Sequence, residues 1–304
     1  MTEQLALFHC SHPFDSGRSP TAPPFLEGWV NLILSSCCLA LTSLVAGCQT
    51  LPSVAAVPSR DQFVHHQLVI HSDFVVPKRH RLFDELAKRR ADIQEQLNLP
   101  MSDEPIHIYL FQDADLFRKY LLGAHPTLSD RRAVFVQTDT QLSVYAFWGD
   151  RVAEDLRHEV SHGYLHAQVP KIQLWLDEGL AEYFELPREA STINRPHVHR
   201  LASEFRAGRW TPNLERLEQF EEAETFGQTQ YAEAWLWVHF LLEHSEKTKS
   251  ILQDFVLGEQ DVTDGRQLLS AILAGESNSI HVDLIEHLMK LVEQEPKPVS
   301  NPTL

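Results

Sequence analysis

The 304-residue chain carries 26 basic and 42 acidic residues, a formal net charge of −16, and 43% hydrophobic residues. That length and apolar content suit one large or two small domains with a buried core, and the acidic excess argues against a nucleic-acid partner, which requires a basic face. All four cysteines (Cys10, Cys37, Cys38, Cys48) fall in the first 48 residues, so the body holds no disulfide framework and no cysteine-based zinc site, and any metal there must be held by histidine and carboxylate.

Residues 29–48, WVNLILSSCCLALTSLVAGC, form an uncharged apolar run ending in small residues, the pattern of a secretory h-region and cleavage site. The ending LVAGC resembles the bacterial lipobox, which implies a lipidated Cys48 and makes residues 1–48 a signal/lipoprotein segment. The first 28 residues contain Arg18 alone as a basic residue, against Glu3, Asp15 and Glu27, and leave an uncleaved anchor as the alternative. Residues 49–60, QTLPSVAAVPSR, have the composition of a tether reaching about 40 Å when extended. These features predict an extracytoplasmic lipoprotein, anchored by lipid to the membrane on the periplasmic side of the cell envelope.

From Phe63 the chain reads FVHHQLVIHSDFVV, β-branched and roughly alternating, and predicts a strand. A helix is predicted over 80–99, from Leu82, Leu86, Ile93, Leu97 and Leu99, with Pro100 closing it. PIHIYLF (105–111) predicts a strand, DADLFRKYLLG a short helix ended by Gly123, and AVFVQTDTQLSVYAFWG (133–149) two strands around a polar turn. Residues 61–150 are thus a small mixed α/β layer. Residues 151–294 read as mainly helical, with helices over 151–168, 174–186, 198–207, 229–245, 248–256 and 280–293. The Pro-rich end, 295–304, reads as a disordered tail. Arg131–Arg132 and the His197/His199 pair default to solvated loops.

Within the helix that Asp150 is placed to cap, residues 158–162 read HEVSH. His158 and His162 stand one turn apart, so both imidazoles reach one ion at ~2.0–2.1 Å, with Glu159 beside them to take a proton from an attacking water. The bland reading is a polar helix face. A third ligand is needed. Position 168 is Gln, which excludes the third histidine of a metzincin, and His166 would demand three ligands along one straight helix, so it reads as a rim residue. Glu178 opens a second predicted helix after 15 intervening residues, where Gly179 lets the two helices approach closely.

LWLDEGLAEYFE, following HEVSH, resembles the second motif of gluzincin metallopeptidases of the peptidase-MA-like group, including the W-L-x-E-G-x-A form of aminopeptidase-N-like enzymes. The resemblance implies an α+β, zincin-like fold: a small mixed β-sheet with helices, followed by a mainly helical part carrying the zinc helix. It implies one zinc ion on His158, His162 and Glu178, with Glu159 as catalytic base and a peptide or protein as substrate. It also implies that Glu182 orients His158, and that a tyrosine on a later helix, here Tyr231 in QYAEAWLWVHFLLE, donates to the oxyanion; a core-packed tyrosine is the competing reading. LSVYAFWG is expected to be the edge strand that receives substrate by β-addition. The G-x-M-E-N segment of aminopeptidase-N-like enzymes is absent from the sequence before His158, which speaks against exopeptidase action. A second function stays open: a metal-containing envelope lipoprotein serving as a binding or scaffold module without peptidase activity.

Overall fold

The computed structural model describes residues 6–9, 56–188, 192–258, 267–277 and 279–294. Cys48 and the tail 295–304 lie outside the described residues. Six strands form one mixed sheet: β1 (Ala6–His9), β2 (Asp61–His65), β3 (Leu68–Ser72), β4 (Ile106–Phe111), β5 (Ala133–Gln137) and β6 (Leu142–Phe147), in the order β1-β5-β6-β4-β3-β2. β4 runs parallel to both β3 and β6, and the other neighbours are antiparallel.

The stretch expected as one strand from Phe63 is a hairpin. His65 pairs with Leu68, and His66 turns the chain at φ 55°, the positive φ that two-residue hairpin turns demand. The turn falls in the polar run His65-His66-Gln67, which holds none of the Gly, Asn or Asp residues that mark a tight hairpin, so the sequence does not announce it. LSVYAF corrects a second expectation. As β6 it hydrogen-bonds β4 on one side and β5 on the other, so it has no free edge for a peptide. Strand order depends on contacts between distant segments, and alternation carries none of that information.

Helices follow in chain order: α1 (Arg81–Leu97), α2 (Ala114–Ala124), α3 (Val152–His166), α4 (Leu174–Phe184), α5 (Arg195–Arg206), the single turn α6 (Leu214–Leu217), α7 (Gln228–Glu243), α8 (Glu246–Gly258), α9 (Leu269–Glu276) and α10 (Ile280–Glu293). Asn98, left-handed at φ 52°, ends α1 and donates its N–H to the Gln94 carbonyl, a turn-closing cap that satisfies a terminal acceptor. Gly123 lies inside α2 rather than ending it. No side chain caps α3, whose start falls after Arg151 rather than on Asp150.

The two faces of the sheet serve two cores. Ile106, Ile108, Leu110, Phe135 and Val144 face the main core with Leu82, Leu86, Leu156 and Val160 of α1 and α3. Phe111, Val134, Val136 and Tyr145 face the other way, under Phe117, Tyr120 and Leu121 of α2. α3 sits close on the sheet because position 163 has no side chain: a Cβ there would stand 3.0 Å from two Ile106 carbons. In α7 every residue from Tyr231 to Leu242 is buried, as befits a helix at the centre of a helical layer. The architecture is mixed α+β, with the sheet first and most helices after it. No helix among the described residues is long and apolar enough to cross a membrane.

Candidate metal centre

α3 and α4 lie side by side and antiparallel. His162 and His166 meet Asp177 near the start of α4, whereas His158 meets Glu185 just past its end. Between these anchors Glu178 faces both histidines of HEVSH. His158 Nε2 and His162 Nε2 are 3.2 Å apart, and Glu178 Oε2 stands 3.5 Å from the first and 3.7 Å from the second. A tetrahedral zinc with bonds of ~2.0–2.1 Å sets its ligand atoms about 3.3 Å from one another. The triangle therefore has the size that one ion requires.

Burial sharpens the fit. His158, Glu159, His162 and Glu178 are all fully enclosed, and neither Glu178 oxygen accepts a hydrogen bond. A carboxylate kept from water without donors costs several kcal/mol. A divalent cation among His158, His162 and Glu178 would remove that cost. The donor set of two imidazoles and one carboxylate matches zinc.

The far nitrogens of both rings are also engaged. His162 Nδ1 lies 2.9 Å from Asp177 Oδ1, and Asp177 Oδ2 lies 3.1 Å from His166 Nε2. Burial alone would raise the Asp177 carboxyl, but the two imidazoles outweigh it and hold it well below the usual carboxylate range. His166 continues the chain to Gln137 Oε1 at 2.7 Å, and Phe135 packs against both His162 and His166. His166 is thus a buried group behind the ligands, not the rim residue that its position on the helix suggested. His158 Nδ1 lies 3.2 Å from Glu185 Oε2. Burial and the nearby Glu182 push the Glu185 carboxyl up, against the pull of His158 and His197.

Glu182, expected to orient His158, has an oxygen within 4.8 Å of that ring and accepts a hydrogen bond from His197 Nε2 at 2.9 Å and one from Asn194 Nδ2 at 3.4 Å. His197 is buried on α5 while His199 is not, so the HVH pair is not a solvated loop. Arg132 is likewise buried, with Nε donating to Asp155 at 3.1 Å. Gly179 permits a close approach, but of α4 to α7 rather than to α3: a Cβ there would meet the Ala234 carbonyl oxygen at 2.7 Å. Tyr231 lies on α7 one turn before Ala234, buried, with its ring edge-on to Phe226 at 4.9 Å.

The sequence motifs assign no role to Asp177, Glu185 or Asn194, and His197 defaults to a solvated loop. A signal existed for one of them. Glu185 is seven residues beyond Glu178, two turns on, and so shares its stripe on the helix.

No family model matches the chain, and no curated protein matches it.

Proposed function

We propose that the chain is a zinc-dependent peptidase of zincin-like fold, hydrolysing peptide bonds in the cell envelope, to which lipid on Cys48 anchors it. The triangle of His158 Nε2, His162 Nε2 and Glu178 Oε2, at 3.2, 3.5 and 3.7 Å, carries the reading. A zinc ion held there would supply Lewis acidity to the scissile carbonyl and to the attacking water. Asp177 and Glu185, whose oxygens lie 2.9 and 3.2 Å from the two Nδ1 atoms, would favour hydrogen there and so leave both Nε2 lone pairs for the ion. Glu159, next to His158 on α3, accepts the proton lost by the water as its oxygen bonds to the carbonyl carbon. The same carboxyl then delivers that proton to the amine nitrogen as the C–N bond breaks. Tyr231 serves as hydroxyl donor to the developing oxyanion.

One observation favours the second reading, a metal-holding envelope module without turnover: Glu159 and the three ligand side chains are fully enclosed, whereas a catalytic base must touch substrate. Two measurements separate the readings. Zinc content of the wild-type chain beside Glu178→Ala tests the site, with one zinc largely lost in the variant as the expected result. Cleavage of a peptide library by the wild type and not by a zinc-retaining Glu159→Gln chain establishes the peptidase. Zinc bound with no cleavage by either hands the function to the module. Incorporation of labelled lipid into a Cys48→Ala chain would remove the anchor.

A further inference from the structure

We infer that Glu185, held by Asn194 at the N-cap of α5, is the chief positioning residue of the metal ligand His158. The inference rests on the metal reading above.

The geometry separates the two glutamates. Glu185 Oε2 lies 3.2 Å from His158 Nδ1, and its other oxygen accepts from Asn194 Nδ2 at 3.4 Å. The Glu185 backbone carbonyl accepts from Arg157 Nε, so the residue beside His158 on α3 also holds the main chain of its partner. Glu182 takes the same Asn194 amide at 3.4 Å, but its shorter contact, 2.9 Å, is to His197.

The orientation of Asn194 follows from its place in the chain. It is the N-cap of α5, and its Oδ1 accepts from the His197 backbone N–H at 3.3 Å. An amide whose oxygen is used by the cap must turn its NH2 the other way, here onto both carboxylates. His197 donates to Glu182 as well, at 2.9 Å. The start of α5 thereby holds two acidic groups that lie within one turn of each other, each with an oxygen within 4.8 Å of a His158 ring nitrogen.

Helix register explains why the role falls on Glu185. With α3 and α4 antiparallel, His162 stands opposite the start of α4 and His158 opposite its end. Glu178 reaches the Nε2 side of His158, and the residue two turns on reaches the Nδ1 side of the same ring. A carboxylate there fixes the tautomer and the ring plane, and so the direction of the Nε2 lone pair.

The test uses the full chain as wild type, Glu185→Gln, Glu182→Gln, Asn194→Ala and the Glu185→Gln/Asn194→Ala pair. Three quantities are measured: zinc affinity by chelator competition, zinc stoichiometry, and the visible spectrum of the cobalt-substituted protein. The melting temperature of the metal-free chain is the folding control. One zinc per chain is expected, with Glu185→Gln lowering affinity about 10–100-fold and altering the cobalt spectrum, and with Glu182→Gln the milder change. Asn194→Ala is expected to weaken binding, and the pair to bind no worse than Glu185→Gln alone, because Asn194 acts through Glu185.

A folded Glu185→Gln chain with wild-type affinity overturns the inference, as does a larger loss in Glu182→Gln. Two zinc ions per chain, one of them lost in Glu185→Gln, would make Glu185 a ligand and overturn it too. If Glu185→Gln does not fold, Asn194→Ala decides by the same affinity measurement, a loss supporting the inference and wild-type binding overturning it. A wild-type chain that takes no zinc removes the metal reading itself; a wild-type chain that takes zinc as tightly as Glu185→Gln removes only this inference.

Discussion

Asp177 holds two imidazoles at once: one oxygen lies 2.9 Å from His162 Nδ1 and the other 3.1 Å from His166 Nε2, with all three side chains buried. It precedes Glu178 in the chain, so one turn of α4 supplies both a candidate ligand and the group behind another ligand. Replacing it with asparagine keeps its shape but removes the charge and puts an NH2 where one of two oxygens was. Asp177→Asn is therefore expected to weaken zinc binding about 10–100-fold, measured by chelator competition. Unchanged affinity in the folded variant would show that His162 needs no such partner.

The glycine beside these acids has a packing reason that can be measured. A methyl at position 179 would sit 2.7 Å from the Ala234 carbonyl oxygen and 2.9 Å from Val238 Cγ2. Helix propensity favours alanine over glycine by about 1 kcal/mol, whereas forcing two packed helices apart costs about 1–3 kcal/mol. The second effect wins here because the nearest obstacle is backbone. Gly179→Ala is expected to lower the melting temperature, and because α4 carries Glu178, to weaken zinc binding as well. A variant more stable than the wild type would mean that α4 and α7 are less tightly opposed.

The long elements of the fold are the ones legible in the sequence. The periodicity that placed a helix over 229–245 matches α7 at Gln228–Glu243 closely, because a long apolar helix advertises itself in every turn. The turn at His66 did not, since a histidine in the left-handed region is not one of the Gly, Asn or Asp signals of a tight hairpin. α6 and α9 were missed because four and eight residues are too few to show a period. At the site, HEVSH and DEG state their own chemistry through local spacing. Glu185, Asn194 and His197 do not, because their relevance arises only when α3, α4 and α5 are packed together.

Arg132 offers a stability test away from the metal. Its Nε donates to Asp155 at 3.1 Å, and both side chains are buried against the sheet and the first turn of α3. Burial raises the Asp155 carboxyl against the pull of Arg132. Arg132→Met strands that carboxyl, and is expected to destabilise by about 3–5 kcal/mol in chemical denaturation at neutral pH. A double variant with Asp155→Leu is expected to recover much of the loss, since no uncompensated group remains. Equal losses in the single and double variants would show that packing volume, not the ion pair, set the cost.

The pair His239 and His287 predicts how stability depends on pH. His239 Nδ1 and His287 Nε2 lie 2.9 Å apart between α7 and α10, which requires one ring to donate and the other to accept, and so at least one neutral ring. Burial lowers His239 to about 4. Burial, then the neighbouring His239, His244 and Lys290, lower His287 to about 3 against the opposing pull of Glu243. An unfolded histidine takes up its proton near pH 6.5. Below that pH, and down to the folded values near 4 and 3, the unfolded chain binds more protons than the folded one, so stability falls as pH falls. Each ring contributes on the order of 2 kcal/mol of loss between pH 6.5 and 5. His287→Gln retains an amide donor toward His239 and removes one titrating ring. Its stability curve, from urea denaturation at pH 7, 6 and 5, is expected to be flatter than that of the wild type by roughly one ring's share. Parallel curves for the two proteins would show that His287 titrates alike in the folded and unfolded chains.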